Sequence, residues 1–379
     1  MAVLSHVLVL NAGSSSLKAS IIKTDGSRDP VAAAHVGWGS DATRVADRRR
    51  TVAAALDELW QQGVDRSRLV GSGHRVVHGG ERFREPTLVD ESTLESLGGL
   101  EKLAPLHNVV ALDTLRAVRE LLPDLPAVAV FDTAFHATLS PESYIYPLPW
   151  SWYEDWGIRR FGFHGLSVEW SVRRAAELLE RDVADLDLVV AHLGSGCSVT
   201  AVHAGRSVST SMGLTPLEGV VMGTRSGSVD PGILIHVLTE RGMSVADLAD
   251  TLEHLSGLLG MSGVSGDVRE VQRAADDGSA RARLALDIFV RRAAAGIAVA
   301  AVALPRVDAF VFTGGIGENA ADIRSQIVAR LAPLGVQPIE PVEMGSDGLL
   351  STPGSTPAVL RVEAREDLVI AASVTRLLG

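Results

Sequence analysis

Two arginines and one histidine of this sequence lie in settings that suit the binding of a small anion. Arg75 lies between glycines at positions 73 and 79, Arg225 follows a Gly-Thr pair, and His164 lies within a Phe-Gly-Phe-His-Gly run. A guanidinium group with space around it can bind a carboxylate or a phosphoryl group through two parallel hydrogen bonds. A surface salt bridge is the commoner fate of a single arginine, so the pattern favours an anion site without establishing one.

Three glycine-rich turns each follow a predicted strand, at residues 11–16, 194–198 and 313–319. Glycines at such points allow backbone N–H groups to converge on phosphate oxygens, and a helix N-terminus after the third turn also favours an anion. One such turn is ordinary loop chemistry. Three of them favour a nucleotide site, although the sequence contains neither the Walker A pattern nor the dinucleotide-binding glycine pattern.

Alternating strands and helices must position these turns. Strands are predicted at residues 7–10, 17–22, 72–77, 127–131, 188–191 and 309–312, and helices at 108–122, 167–181, 280–304 and from 366 onward. We expect Asn108 to cap the helix that follows it, residues 314–317 to form a turn, and Asn319 to cap a helix that runs to residue 332. This order predicts α/β layers joined by crossover helices.

One internal repeat is visible. Residues 9–14 align with residues 190–195 as a strand, a glycine and a serine, and a second strand follows both segments. The same unit therefore opens each half of the chain, which predicts a duplicated domain with the two loops facing one another across a cleft. Chance similarity of two hairpins is the alternative.

The composition excludes several classes of protein. Of the 379 residues, 46% are hydrophobic, which predicts a packed core in two or three domains and excludes a disordered chain. The net charge of −11 disfavours nucleic acid and anionic membranes as partners. Cys197 is the only cysteine, so no internal disulfide can form. The basic residues are almost all arginines; the lysines are Lys18, Lys23 and Lys102.

Neither the first residues nor the most apolar internal segment predicts membrane insertion. The first residues lack a basic region and indicate a strand rather than a signal peptide. Residues 293–304 lie between two arginines and fall short of the roughly 18 apolar residues that span a bilayer. We therefore expect a cytoplasmic, globular protein.

Read in order along the chain, these motifs resemble those of the acetate kinase family. The matching segments span nearly the whole chain: residues 9–18, 74–81, 103–108, 131–136, 162–165, 211–225, 262–265 and 312–319. The resemblance implies two duplicated α/β domains of the actin/ribonuclease-H-like type with a nucleotide cleft between them. The implied domains are residues 1–149 with the C-terminal helix 366–379, and residues 150–365, in a subunit that forms a homodimer.

The implied reaction is reversible, Mg²⁺-dependent transfer of the ATP γ-phosphoryl group to acetate by direct in-line displacement, giving acetyl phosphate and ADP. Mn²⁺ is an alternative ion. Acetate resembles a Glu side chain, whose pKa is about 4.3, so the nucleophile is already ionised at neutral pH. The chemistry therefore requires positioning and electrostatic stabilisation rather than a strong general base.

The resemblance also implies the role of each catalytic residue. Arg75 and Arg225 would hold the carboxylate and the transferring phosphoryl group. His164 would donate to that group in the transition state. Asp132 would orient an arginine or a metal-bound water, because a carboxylate nucleophile has no proton for it to accept.

Further residues are implied to bind the metal, the acyl group and the nucleotide. Asn11 and Glu366 would place Mg²⁺, directly or through water. A small apolar slot for the methyl group would be lined by Val77, Leu106, Phe163 and Pro216. The nucleotide would contact Lys18, His192, Leu193, Gly194, Ser195, Gly196, Asp267, Val268, Arg269, Gly314, Gly315, Ile316, Gly317, Glu318 and Asn319. For the apolar members of these sets, core packing is the alternative interpretation.

The chain departs from the family's usual pattern at three places. Ser195 occupies a position where the family usually has Asn, Ser228 replaces an Asp in a Gly-Asp-Ile-Asp-Pro segment, and the neighbours of Glu366 differ. These differences bear on nucleotide affinity and rate more than on the type of reaction.

Two other functions stay open at this point. One is a kinase for propionate or butyrate, since an extra methylene changes binding by only about 1–3 kcal/mol and predicts poor use of propionate, not its exclusion. The other is a non-catalytic nucleotide-binding switch of the same fold. The paired arginines argue against the switch, because such a module has no need of a clamp for an acyl phosphate.

Overall fold

The computed structural model describes residues 5–13, 16–38, 45–100 and 105–379, with the backbone alone for 45–46 and 105–107. The chain divides into two compact units, Met1–Ala137 with Arg365–Gly379, and Thr138–Ala364. Each unit contains one six-stranded sheet. The domain limits that the sequence predicts stay a prediction, because compactness does not test whether a segment folds by itself.

Runs of aliphatic and β-branched residues form the strands, and the strands Ala127–Phe131 and Ala309–Thr313 are buried along their whole length. The strands are β1 (His6–Ala12), β2 (Ser16–Lys23), β3 (Ala32–Gly37), β4 (Leu69–Val76), β5 (Thr87–Leu88), β6 (Ala127–Phe131), β7 (Asp187–Leu193), β8 (Cys197–His203), β9 (Arg206–Thr210), β10 (Ala309–Thr313), β11 (Gly348–Leu349) and β12 (Ala358–Arg361).

Helices occupy most of the connections between these strands. The α-helices are α1 (Val45–Gln61), α2 (Glu91–Gly98), α3 (Pro105–Leu121), α4 (Pro141–Tyr144), α5 (Trp150–Trp156), α6 (Gly165–Leu179), α7 (Pro231–Glu240), α8 (Val245–His254), α9 (Gly257–Ser262), α10 (Val268–Asp276), α11 (Ala280–Ala301), α12 (Gly314–Asn319), α13 (Ala321–Arg330) and α14 (Glu366–Leu378). Short 3₁₀ turns lie at Arg66–Arg68, Ala134–Thr138, Val183–Asp185 and Ala332–Leu334. In the described part of the chain, no helix combines the length and hydropathy that crossing a membrane requires.

The two sheets have the same topology. The first has the order β3-β2-β1-β4-β6-β5 and the second the order β11-β12-β10-β7-β8-β9. In each sheet an antiparallel three-stranded meander is followed by two strands that run parallel to its first strand. A short antiparallel strand, β5 in the first sheet and β11 in the second, forms the edge of each sheet next to these two strands. The predicted duplication and the predicted α/β class are confirmed.

The predicted cap at Asn108 is wrong. Helix α3 begins three residues earlier, at Pro105, and Asn108 lies inside it with its side chain fully buried. Asn108 Oδ1 accepts from His78 N at 3.0 Å and Asn108 Nδ2 donates to His78 O at 3.0 Å. An Asn near the start of a helix is typical of an N-cap. Here the Asn108 amide instead forms hydrogen bonds with the buried backbone N–H and C=O groups of His78.

The prediction for residues 314–319 is also wrong in its local structure. These residues form helix α12 rather than a turn, and Asn319 ends that helix with its Nδ2 donating back to Gly315 O at 3.0 Å. The next helix, α13, begins at Ala321, whose N–H donates to Glu343 Oε1 at 3.1 Å. Several glycines in a row predict a turn, because glycine is a poor helix former; burial of Gly314, Ile316 and Gly317 overrides that preference.

Candidate functional site

Three adjacent parallel strands bring polar side chains to one edge of the first sheet. Strand β4 pairs in parallel with β1 on one side and with β6 on the other. Asn11 lies near the end of β1, Arg75 near the end of β4, and Asp132 directly follows β6. The carboxyl ends of parallel neighbours meet at the same edge, which is where α/β sheets place their ligand-binding residues.

Helix α14 brings a fourth side chain to this edge. It packs directly on β4, where a Cβ at Gly73 would lie 2.4 Å from Ile370 Cγ2 and a Cβ at Gly71 would lie 2.5 Å from Leu378 Cδ1. The missing side chains on β4 therefore allow the close approach of the helix. Glu366, the first residue of α14, consequently reaches Asn11, to which it is hydrogen-bonded.

Arg75 is at the centre of the resulting network. Its Nε and Nη2 donate to Asp132 Oδ1 and Oδ2 at 3.0 and 2.5 Å, and its Nη1 donates to Asn11 Oδ1 at 3.1 Å. Asn11 Nδ2 donates to Glu366 Oε2 at 2.7 Å, and the same oxygen lies 3.7 Å from Arg75 Nε. The paired hydrogen bonds to Asp132 fix the plane of the guanidinium group.

Two carboxylates face one guanidinium in this network, so it carries excess negative charge when both acids are ionised. Burial raises the pKa of Asp132 to about 6; Arg75 opposes this shift and Glu366 adds to it. Burial lowers the pKa of Arg75, but Asp132 and Glu366 outweigh burial and raise it above its ordinary value. Arg75 therefore stays charged, and the network favours a further cation beside Asn11 and Glu366.

In the second unit, two stacked histidines form part of a separate cluster. His164 immediately precedes α6 in the left-handed region, at φ 60° and ψ 22°, a conformation that is uncommon outside glycine and is often found at functional sites. His164 Nδ1 shares a hydrogen bond with Ser198 Oγ at 3.0 Å. Its ring stacks on His192 with 4.1 Å between centroids, and His192 Nδ1 shares a hydrogen bond with Ser167 Oγ at 2.8 Å. A hydroxyl thus orients each imidazole.

Arg225 and His164 converge on Gly196. A Cβ at residue 196 would lie 3.2 Å from Arg225 Nη2 and 3.3 Å from His164 Nε2. Arg225 Nη1 donates to Pro216 O at 2.7 Å, and Arg225 Nε lies 3.9 Å from Glu253 Oε2. Burial lowers the pKa of Arg225 and Glu253 opposes the shift, but a guanidinium stays protonated at neutral pH. A cation and an imidazole nitrogen therefore meet beside a backbone that carries no side chain.

The glycine loop after β7 lies against the start of α12. A Cβ at Gly194 would lie 3.7 Å from Gly315 N. The loop also contacts a second segment, since Gly223 N donates to Ser195 O at 3.1 Å. A Cβ at Gly223 would in turn lie 2.9 Å from the carbonyl oxygen of Gly266, just before α10. The three segments predicted to contact a nucleotide are therefore linked within the second unit.

A sequence profile of the acetokinase family matches residues 6–372. The chain belongs to the acetokinase family. Relatives named acetate kinase include one from Geobacillus kaustophilus, 41% identical over 99% of both chains. Another, from Synechococcus sp., is 45% identical over 98% of this chain and 99% of its own. As a member of this family the chain is a kinase that acts on a carboxylate, with ATP and ADP as co-substrates.

Solved structures of an acetate kinase and a propionate kinase have the same fold. The acetate kinase of Porphyromonas gingivalis has a TM-score of 0.89 at 32% identity, over 99% of this chain and 100% of that one. A propionate kinase of Francisella tularensis has a TM-score of 0.86 at 36% identity, over 97% and 98% of the two chains. The predicted fold and family are therefore confirmed.

The predicted acyl-slot residues of this acetokinase lie in different units. Val77 is buried directly after β4 in the first unit. In the second unit, Phe163 is 1% exposed and precedes His164, and Pro216 is the residue whose carbonyl holds Arg225. Leu106 belongs to α3, but its side chain lies outside the described residues.

The remaining predicted nucleotide residues have mixed settings. Lys18 is exposed and lies opposite Asn11 in the pairing of β1 with β2. Asp267 caps α10 and forms an ion pair with Arg269, whose side chain is 79% exposed, whereas Val268 is buried. The Asp267–Arg269 pair is thus accessible to a ligand, while the side chain of Val268 packs in the core.

Glu318 lies in α12, and the backbone N–H groups of Ala364 and Gly314 face its carboxylate. Its Oε1 accepts from Ala364 N at 3.0 Å, close to the point where the chain enters α14. Burial raises the pKa of Glu318, which the backbone hydrogen bond opposes. Glu318 therefore has a structural contact in addition to any contact with a nucleotide.

Sequence reasoning misses the residues that orient the predicted groups, among them Ser198, Ser167 and Glu253. Each binds a site residue from a distant part of the chain, and no motif marks such a partner.

Proposed function

We propose that this acetokinase catalyses reversible in-line transfer of the γ-phosphoryl group of ATP to acetate, giving acetyl phosphate and ADP. The observation that carries this proposal is the convergence of Arg225 Nη2 and His164 Nε2 beside Gly196. A cation and a hydrogen-bond donor at one point suit an anion whose charge spreads in the transition state. Acetate is ionised at neutral pH and needs no base to become a nucleophile.

In the first unit, we assign Arg75 to the carboxylate and the transferring phosphoryl group. Asp132 binds one edge of the Arg75 guanidinium through both of its carboxylate oxygens, which supports an orienting role over a role in proton transfer. This orientation matters because the protein forms no covalent bond to the reactants in this reaction. Much of the rate acceleration therefore comes from aligning the two anionic reactants.

In the second unit, we assign His164 and Arg225 to the transferring phosphoryl group in the transition state. The hydroxyl of Ser198 and the carbonyl of Pro216 hold these two side chains before substrate arrives. Donors that are fixed in advance stabilise developing charge without reorganising during the reaction.

For the nucleotide, we assign the loop His192–Gly196, the helix α12 and the residues Asp267–Arg269, with Lys18 in the first unit. Support comes from the linked backbone contacts of these segments in the second unit. Backbone N–H groups at glycine turns suit phosphate oxygens, and the exposed Asp267–Arg269 pair offers polar atoms to a nucleoside.

A Mg²⁺ ion fits the oxygen atoms of Asn11 and Glu366, with Mn²⁺ as an alternative. An amide oxygen and a carboxylate are hard donors of the kind Mg²⁺ prefers, and Mg²⁺ is usually held by one or two protein groups together with substrate phosphates. The excess negative charge of the Arg75 network agrees with a bound cation. When bound, the ion would neutralise phosphate charge; Asn11 and Glu366 would hold it in place.

The deciding experiment measures ATP formation from acetyl phosphate and ADP by wild type, Arg225→Ala and Arg206→Ala. Arg206 is exposed on β9 and serves as the control. Removal of one preorganised donor lowers kcat by about 10²–10³-fold. We therefore expect the kcat of Arg225→Ala to fall by that factor and the kcat of Arg206→Ala to stay near the wild-type value. Wild type that forms no ATP would contradict the reaction, and an unaffected Arg225→Ala would contradict the arginine's role.

The same assay with propionate tests the acyl group. The propionate kinase among the structural neighbours makes this acid the relevant competitor. We expect acetate to be preferred, by about 10–200-fold in kcat/KM if the slot holds one methyl group. A preference for propionate would reassign the substrate within the same reaction.

We further propose that the enzyme is a cytoplasmic homodimer. Helix α7 has no buried residue, and its apolar side chains are exposed: Ile233 is 53% and Ile235 is 63% exposed. An uncovered apolar helix face is typical of a protein interface. Sedimentation analysis should find a dimer for wild type and a shift to monomer for Ile235→Glu; monomeric wild type would contradict the proposal.

A further inference from the structure

Arg160 gathers the backbone of the loop that follows β9. Its Nη1 donates to three successive carbonyl oxygens, those of Thr210, Ser211 and Met212, at 3.1, 3.0 and 2.9 Å. Its Nη2 donates to Glu218 Oε1 at 2.7 Å, at the other end of the same loop. Only 17% of the Arg160 side chain is exposed, so its guanidinium group contacts mainly protein atoms and little solvent.

Glu218 and Tyr146 complete the arrangement. Tyr146 Oη donates to the second oxygen of Glu218 and accepts from Leu214 N at 3.1 Å. A Cβ at Gly213 would lie 1.9 Å from Glu218 Oε2 and 2.1 Å from Tyr146 Oη, so residue 213 must be glycine for the three groups to meet. We call Arg160, Glu218 and Tyr146 the loop clamp.

Two groups of the candidate site depend on the clamped loop. The backbone N–H groups of residues 161–162 donate to Gly213 O at 3.1 and 3.3 Å, which fixes the segment that leads to His164. Pro216 O accepts from Arg225 Nη1 at 2.7 Å. The loop held by the clamp thus sets the backbone positions from which both His164 and Arg225 are oriented.

We propose that the loop clamp positions Arg225 and Pro216 for the carboxylate substrate, with Arg160 as a positioning residue. The inference rests on the proposed function and extends it to residues that touch no reactant. Because Pro216 both orients Arg225 and is assigned to the acyl slot, a shift of the loop moves the cation and the apolar wall together. Loss of the clamp therefore changes carboxylate affinity and chain-length discrimination, whereas loss of folded protein alone changes neither.

Replacement of Arg160 by lysine separates the effect of its charge from the effect of its hydrogen-bonding geometry. Its ammonium keeps the charge, but it is a point donor on a flexible stem and lacks the planar fork of the guanidinium. A single ammonium cannot reach three successive carbonyls on one side and Glu218 on the other. Arg160→Lys therefore removes the geometry and retains the charge.

The test measures kcat and KM for acetate, propionate and ATP in wild type, Arg160→Lys, Glu218→Gln and Tyr146→Phe. For Arg160→Lys we expect kcat/KM for acetate to fall by about 10²-fold, the loss expected for a catalytic group displaced by about 1 Å. KM for acetate should rise and the preference for acetate over propionate should shrink, while KM for ATP stays within about twofold. Glu218→Gln removes the negative charge that faces Arg160, and Tyr146→Phe removes the hydroxyl that contacts Glu218 and Leu214. Both variants keep the Arg160 contacts to the carbonyl groups, so their kinetic parameters should change in the same direction by less.

Arg181→Lys is the matched control. Arg181 Nη1 donates to Asp308 Oδ1 at 3.0 Å, at the start of β10 and outside the clamped loop. If Arg160→Lys keeps the wild-type KM for acetate and the wild-type acyl preference, or behaves like Arg181→Lys, the inference is wrong. If Arg160→Lys does not fold, Glu218→Gln and Tyr146→Phe decide by the same readouts. Wild type inactive on every carboxylate would instead overturn the proposed function, and the inference with it.

Discussion

Replacing Gly196 by alanine tests the convergence of Arg225 and His164 directly. The added Cβ would lie 3.2 Å from Arg225 Nη2 and 3.3 Å from His164 Cε1 and Nε2. Ordinary van der Waals contact begins at 3.4 Å. Both side chains must therefore retreat by a few tenths of an ångström, and the methyl group covers the point on which they converge.

This geometry predicts a large kinetic effect and a small effect on folding. A methyl group between two preorganised donors prevents a phosphoryl oxygen from contacting both, and loss of one such donor costs about 10²–10³-fold in kcat. The shift of two partly exposed side chains costs little free energy of unfolding, which we expect to change by less than about 1 kcal/mol. Acetyl phosphate formation from ATP and acetate gives the kinetic parameters, and urea unfolding gives the stability.

Gly345→Ala is the control for this experiment. Residue 345 lies in the same unit, and nothing lies within 4 Å of the Cβ position there. We expect this variant to match wild type in both measurements. Gly196→Ala with kcat within about threefold of wild type would refute the inferred role of the convergence point. So would a loss of activity that merely follows a loss of folded protein.

Three further predictions concern buried polar groups. Asn108→Ala should lower the free energy of unfolding by about 1–3 kcal/mol, measured by urea titration, because it removes both buried hydrogen bonds between the Asn108 amide and the backbone of His78. Ser198→Ala should reduce kcat about tenfold, with an unchanged KM for ATP, because His164 loses the hydroxyl that orients it; unchanged kcat would exclude that role. Burial lowers the pKa of His74 from 6.5 to about 3. On acidification, His74 therefore becomes protonated at a higher pH in the unfolded chain than in the folded protein. Stability should fall as pH drops below 6.5, by about 1.4 kcal/mol per pH unit down to about pH 3; His74→Asn should remove that part of the slope in urea titrations at several pH values.

Much of the fold follows from the sequence because its signals are local. Strand β6 begins and ends where its run of aliphatic residues does, and α14 begins at Glu366 as expected. The repeated strand–glycine–serine–strand unit indicates the duplicated topology, since β1–β2 and β7–β8 form equivalent hairpins. Errors arise where burial opposes a local preference, as in α12 and at Asn108.

The roles of the site residues stay predictions until they are tested in solution. The structure does bring Asn11, Arg75, Asp132 and Glu366 into one network, and it places His164 and Arg225 beside one glycine. It does not describe the side chain of Leu106.

By itself, the sequence determined the family and the α/β class and predicted the site residues, because residue types, spacing and hydrophobic periodicity are properties of neighbours along the chain. Tertiary structure alone decided which partner holds each side chain. Asn11 and Glu366 are 355 residues apart in sequence and 2.7 Å apart in space, since α14 returns to pack on β4. No local pattern encodes that return, nor the loop clamp that orients Arg225 through Pro216. Such contacts exist only once the hydrophobic core has brought distant segments together.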